Sequence, residues 1–179
     1  MPDIFLDGLP VLDLLEIAPS TSAVAQLTQR DQSSISRLYR RVSDRLGLQF
    51  NKGSDGHYRA EANSLVLSTL RLASQTLRLQ QAPFQPRWAS CLAGVRAAAG
   101  LPAPLLLDCG NGDRLHSLLQ KRILDLAVVH AEDEAPPLPA NLLTQALLGD
   151  PTGPAQVLLR TDLAQAPGLH ALLAALRLE

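Results

Sequence analysis

The run Gln32-Ser33-Ser34-Ile35-Ser36-Arg37, continued by Arg40, Arg41 and Arg45, gathers side chains that suit one kind of chemistry. A glutamine can bond adenine at two atoms, and an arginine can do the same with guanine. Arg40 and Arg41, further along the helix, suit phosphates or bases beyond, and the unpaired N–H groups at helix starts, here near Ser22 and Gln32, can also hold phosphates. Lys52, His57 and Arg59 follow in a stretch that would reach nucleic-acid backbone or minor groove. The plain alternative is a solvated helix face laced with surface ion pairs.

Other reactive groupings are sparse. Asp108-Cys109-Gly110-Asn111-Gly112-Asp113 could hold an anion at a helix start, but it has neither dinucleotide-binding nor P-loop spacing. A strand-to-helix turn capped by Asp113 is the plainer reading. His57, His116, His130 and His170 lack paired metal-ligand spacing, so surface histidines are expected and no metal or other cofactor is. Cys91 and Cys109 make neither a disulfide framework nor a zinc site, and reduced thiols in a cytoplasmic protein are expected. A redox role for them stays open beside that of small buried residues. No Ser-His-Asp or Cys-His arrangement is present, and the chain does not read as an enzyme.

Charge is distributed unevenly. Arg30 to Arg59 holds seven basic and three acidic residues, a balance of +4, whereas Ala82 to Glu179 holds seven basic and nine acidic, a balance of −2. The net charge of −1 argues against coating nucleic acid along the whole chain, and the local excess fits one phosphate-binding face. At 46% apolar but 3% aromatic, the core must be Leu, Val, Ile and Ala, which favours helices. No apolar run approaches the ~20 residues of a membrane helix. Met1-Pro2-Asp3 lacks the basic start of a secretory signal.

These residues need elements to carry them. Leu9 to Ile17 reads as a short helix, and Ser20 or Thr21 caps a second one, Ser22 to Gln29. Asp31 caps a third, ending at Leu46, where Gly47 supplies a left-handed stop. In it, Ile35, Leu38, Val42 and Leu46 form one apolar stripe that leaves Ser33, Ser36, Arg37, Arg40 and Arg41 on the other faces. Gln49 to Arg59 reads as a small hairpin around a Gly/Asp turn. Glu61 to Gln81 has no Gly or Pro and predicts a long helix. Val66, Leu70, Ala73 and Leu77 recur along it, with Leu65, Leu72 and Leu79 at the adjacent edge. That is more apolar stripe than a small unit covers, so dimerisation through this helix is expected, against packing on its own domain.

Ala82-Pro83-Phe84-Gln85-Pro86 then reads as a linker. Beyond it we expect strands at Arg87 to Ser90, Leu105 to Asp108, Leu124 to Val129, Leu142 to Leu148 and Gln156 to Arg160. Helices are expected at Cys91 to Ala99, Asp113 to Lys121 and Gly168 to Leu178, with a loop at Glu132 to Pro139. This alternation implies a small α/β lobe with a mostly parallel sheet, within a chain that is α+β overall.

The first half resembles the LysR-type transcriptional regulators. Ala23, Ala25 and Leu27 fit the second helix of their winged helix-turn-helix. Gln32-Ser33-Ser34-Ile35-Ser36 fits the Ser-Gln-x-x-Val-Ser opening of their recognition helix, and Leu46-Gly47 fits its stop. Arg59-Ala60-Glu61-Ala62-Asn63 stands where the family has Leu-Thr-x-Ala-Gly before its linker helix. The chain departs from the pattern with one extra residue between Leu27 and Gln32, with Phe50-Asn51-Lys52 for Leu-Phe-x-Arg, and with Ala60 and Asn63 for Thr and Gly. Leu107 to Gly110, Leu115, Leu119 and Leu124-Asp125-Leu126-Ala127-Val128 resemble the family's effector module, with Arg122 where a Gly normally ends the helix. Val157 to Leu176 resembles the returning segment of that module and arrives directly after Gly149 to Pro154, so its second lobe is expected to be missing.

The resemblance implies three parts: a DNA-binding domain at 1–60, a linker and dimerisation helix at 61–82, and a shortened effector-like lobe at 83–179. It implies a transcription regulator that binds double-stranded DNA as a homodimer, with a higher oligomer left open. Ser90, Gly110, Asn111 and Val129 would line the remaining half of an effector pocket, and the missing half counts against a small-molecule effector. The alternative is an interaction or dominant-negative module that pairs with full-length relatives without binding an operator.

Overall fold

In the computed structural model the chain is α+β, and residues 8–54, 56–60, 62–92, 95–97, 100–107, 112–130, 138–146 and 155–178 are described. It forms two compact units, Met1–Leu72 and Ala73–Glu179.

The first unit opens with α1 (Leu9–Ile17), α2 (Thr21–Thr28) and α3 (Gln32–Leu46). Ser20 caps α2, its hydroxyl accepting from the Ala23 N–H at 3.1 Å. Gln29 ends α2 in the left-handed region (φ 53°), and the Arg30 N–H donates back to the Ala25 carbonyl at 3.0 Å. That closure leaves Gln29, Arg30 and Asp31 as the entire turn, so the extra residue noted before Gln32 is absorbed without a gap. The α3 stripe packs as its period predicts: Ile35 and Val42 are buried, Leu38 is half-buried against the cluster that α1 and α2 form, and Leu46 is half-buried against the cluster of Leu9, Leu12 and Leu48. Gly47 takes the left-handed conformation at the end of α3 (φ 61°), and a Cβ there would lie 2.6 Å from Asn63 Nδ2. Asn63 itself sits at φ 52° and donates to the carbonyls of Leu46 and Gly47, so it caps α3 from the segment before the next helix.

Strands β1 (Phe50–Lys52) and β2 (Tyr58–Ala60) pair antiparallel. Tyr39 of α3 holds them, its ring 5.7 Å from Phe50 and 6.3 Å from Tyr58. Helix α4 (Ser64–Gln80) begins in the first unit and ends in the second, shorter by three residues at its start than the expected Glu61 to Gln81.

The second unit is built on a five-stranded sheet of order β5-β3-β6-β8-β7, from β3 (Trp88–Ser90), β5 (Leu105–Leu106), β6 (Leu126–His130), β7 (Leu142–Ala146) and β8 (Ala155–Arg160). The sheet is mixed and not mostly parallel. β5 and β6 run parallel to β3, whereas β8 runs antiparallel to both β6 and β7. For β7 and β8 the cause is connectivity: the eight residues between them are fewer than the dozen or more a parallel crossover needs. Helices α5 (Gly112–Gln120) and α6 (Pro167–Ala175) complete the unit. Its core joins Leu79, Trp88, Leu126, Val128, Val157, Leu159, Leu169 and Leu172, and Gly168 lets α6 approach so closely that a Cβ would meet Leu79 Cα at 2.9 Å.

Two helix expectations fail here. Within Cys91 to Ala99, Val95–Ala97 is a strand, β4, and the last residues of the expected closing helix form β9 (Leu176–Leu178). The two strands pair antiparallel, Val95 with Leu178 and Ala97 with Leu176. Long-range pairing overrides the helix propensity of these Ala- and Leu-rich stretches. Asp113 lies inside the first turn of α5 and is not its cap. His116 is buried and not on the surface, and its Nε2 has no hydrogen-bond partner among the described residues. The reduced-thiol expectation also fails: Cys91 is disulfide-bonded. Cys109, Gly110 and Asn111 lie outside the described residues, as do Asp55, Glu61 and most of the loops expected at Glu132 to Pro139 and Gly149 to Pro154.

Candidate nucleic-acid interface

Burying the α3 stripe fixes what the helix shows to solvent. Gln32, Ser33, Arg37, Arg40, Arg41 and Arg45 are exposed, and Ser34 and Ser36 are half-buried. The start of α3 is held against α2, since Gln32 Nε2 donates to Thr21 Oγ1 at 3.3 Å. Ser22 is exposed on the first turn of α2. Arg37 turns back along its own helix, its Nε donating to the Ser33 carbonyl at 3.2 Å, which carries the guanidinium toward the N-terminal turn. Arg40 and Arg41 lie one turn further along.

The hairpin adds a second set of cations. Lys52 and Arg59 are exposed and His57 is half-buried. The Lys52 ammonium lies 5.8 Å from the centre of the Tyr58 ring, a cation–π distance that restrains a long side chain. Tyr58 also packs on Tyr39. Burial pushes the Tyr39 phenol up, Tyr58 and Asp44 add to the shift, and Arg40 opposes it. Within the first unit, then, α3 and the hairpin share one aromatic anchor and both turn cations to solvent. The surface can bind a polyanion.

Of the residues expected to dimerise, Leu65, Val66, Leu72, Ala73 and Leu77 are exposed on α4. Leu70 is half-buried against the core of the first unit, and Leu79, on the expected edge, is buried in the core of the second. Of the expected effector residues, Ser90 is buried and its hydroxyl is engaged locally, donating to the Leu92 carbonyl and accepting from the Leu92 N–H. Val129 is half-buried on β6.

Sequence reasoning missed the polar groups that hold α4. In the first unit Arg71 Nε donates to Asp13 at 2.7 Å and Nη2 to Glu16 at 2.8 Å, all three buried. Desolvation lowers the Arg71 pKa, but the two carboxylates outweigh it, so the net shift is upward. In the second unit Asp125, wholly buried, accepts from Gln75, from Arg78 and from the Arg87 N–H. Arg122, left-handed at φ 60° where the family resemblance expects glycine, bonds Gln75 and Asp162. The one signal available was two acids, Asp13 and Glu16, inside an otherwise apolar helix. Among the described residues no group of His, Cys, Asp or Glu side chains could hold a metal ion, and no helix is long and apolar enough to cross a membrane.

The sequence matches no family model and no curated protein. Solved structures do match the chain. It is similar to Corynebacterium glutamicum OxyR carrying a C206 substitution (16% identity, TM-score 0.33), covering 78% of this chain and 49% of that one. It is similar to full-length OxyR C199D from Pseudomonas aeruginosa (15%, TM-score 0.38), covering 78% and 54%. It is also similar to a LysR family transcriptional regulator (14%, TM-score 0.37), covering 82% and 57%. The chain spans about half the length of these structures.

Proposed function

We propose that this chain is a sequence-specific DNA-binding transcription regulator that acts as a homodimer. Helices α2 and α3 with the β1–β2 hairpin form a winged helix-turn-helix over residues 1–60. Residues 61–82 are a linker and dimerisation helix, and residues 83–179 a shortened effector-like lobe. The observation that carries this reading is the outer face of α3, where Arg37, Arg40, Arg41 and Arg45 stand exposed behind an exposed Gln32 and Ser33. A helix of that kind enters the major groove by its N-terminal residues, and a two-fold dimer sets two of them against half-sites roughly 34 Å apart or a multiple of that. Gln32, Ser33, Ser34, Ser36 and Arg37 face bases, whereas Ser22, Arg40, Arg41, Lys52, His57 and Arg59 face the backbone or minor groove. The exposed leucines of α4 support pairing through that helix.

Binding of the purified chain to fluorescent random-sequence duplex DNA, followed by anisotropy over a salt series, tests the proposal. Affinity that falls steeply with salt, and falls further in Arg40→Ala/Arg41→Ala, supports it. Self-association without salt-dependent DNA binding refutes it and leaves the interaction-module reading.

A further inference from the structure

The buried face of α4 carries polar side chains beside the apolar Leu67 and Leu79. Arg71, Ser74 and Gln75 are buried, whereas Leu65, Val66, Leu72 and Leu77 are 77%, 39%, 47% and 45% exposed. Residues 71, 75 and 78 are spaced i, i+4 and i+7, so the anchoring side chains lie along one line of the helix. In the first unit the Arg71 guanidinium forks between two carboxylates, Asp13 and Glu16, through two different nitrogens. In the second unit Gln75 and Arg78 converge on Asp125. Apolar packing is non-directional and tolerates a helix that rolls. A buried, hydrogen-bonded charge does not, because rolling would strand it without its partner.

We infer that these two clasps are positioning devices that set the rotation of α4 and hold its apolar face outward for a second copy of this chain. The inference rests on the dimer proposed above and names what orients its interface. The occupant follows from charge. Ser64–Gln80 contains two charged residues, Arg71 and Arg78, and both are engaged in the clasps. The exposed side chains of α4 are Leu, Val, Ala, Ser, Thr and Gln. An identical helix related by a two-fold axis meets no like-charge repulsion on such a face, and a charged partner finds nothing there to pair with.

Sedimentation of the full chain over a dilution series, at a temperature where circular dichroism shows every variant folded, tests the inference. The triple variant Asp13→Leu/Glu16→Leu/Arg71→Met removes the clasp without leaving an unpaired charge. Arg71→Lys keeps the charge but cannot fork between two carboxylates, and it serves if the triple variant does not fold. The expected result is a parent dimer, with a dissociation constant raised about tenfold or more in the triple variant and a few-fold in Arg71→Lys. Either variant folded with the parent's dissociation constant overturns the inference and leaves the dimer standing. A parent that is monomeric throughout overturns both.

Discussion

Replacing Arg40 by alanine separates a phosphate contact from a base contact and can be worked quantitatively. Arg40 is exposed on α3, one turn beyond the residues placed against bases. Each neutralised phosphate contributes about 0.9 to the slope of log affinity against log salt, so losing Arg40 from both protomers flattens the slope by about 1.8. Between about 50 and 200 mM salt, a fourfold change, the parent's affinity should then fall roughly twelvefold more than the variant's. The loss should be the same on operator and on random duplex. Arg37→Ala behaves differently if Arg37 reads a base from the first turn of α3. It should cost about 1–3 kcal/mol on the operator, with little change in slope or in nonspecific affinity. Anisotropy titrations of both variants on both duplexes at several salt concentrations supply all the quantities. An unchanged slope in Arg40→Ala together with unchanged operator affinity in Arg37→Ala refutes the placement of α3 on DNA.

Further outcomes follow from the same structure. Asp125→Asn removes the buried carboxylate that Arg78 pairs with, and should destabilise the second unit by about 3–5 kcal/mol in urea unfolding followed through the fluorescence of Trp88; a loss under about 1 kcal/mol would refute the role of this hub. Gly168→Ala forces a methyl group against the backbone of Leu79 and should cost about 1–3 kcal/mol by the same assay. Partial burial would raise the pKa of Asp162, but hydrogen bonds from Arg160 and Arg122 outweigh it and hold the carboxyl below its ordinary 3.8. Its contribution is therefore fully present above that ordinary value and lost as pH falls through the lowered one. With the carboxylate 45% exposed, Asp162→Asn should cost less than about 1 kcal/mol at neutral pH, and the cost should vanish in acid melts. Titration of the denatured, unreduced chain should find no reactive thiol until a reductant is added; thiols reactive from the start would contradict the disulfide at Cys91.

The sequence by itself determined most of the first unit. The cap at Ser20, the N-cap position of Asp31 (which makes no side-chain cap bond), the left-handed stop at Gly47 and the Ile35–Leu38–Val42–Leu46 stripe are local signals, because each acts within a turn or two of helix. They sufficed to place α1, α2 and α3 and thereby to say which α3 side chains meet solvent. In the second unit the strands at Trp88, Leu126 and Ala155 were readable as short apolar runs. The β4–β9 pairing was not, because it joins residues some eighty positions apart in stretches that locally favour helix.

Helix α4 marks the boundary between the two kinds of information. Periodicity showed that it has an apolar face and a polar face, but a period carries no sign. Which face turns inward depends on partners elsewhere in the chain: Asp13 and Glu16 for Arg71, and Asp125 for Gln75 and Arg78. Those partners lie roughly fifty residues away in sequence, beyond the reach of any local pattern. Only the tertiary structure brings the carboxylates to the arginines, and so only it shows that Leu67 and Leu79 turn inward beside them while Leu65, Leu72 and Leu77 stay outside.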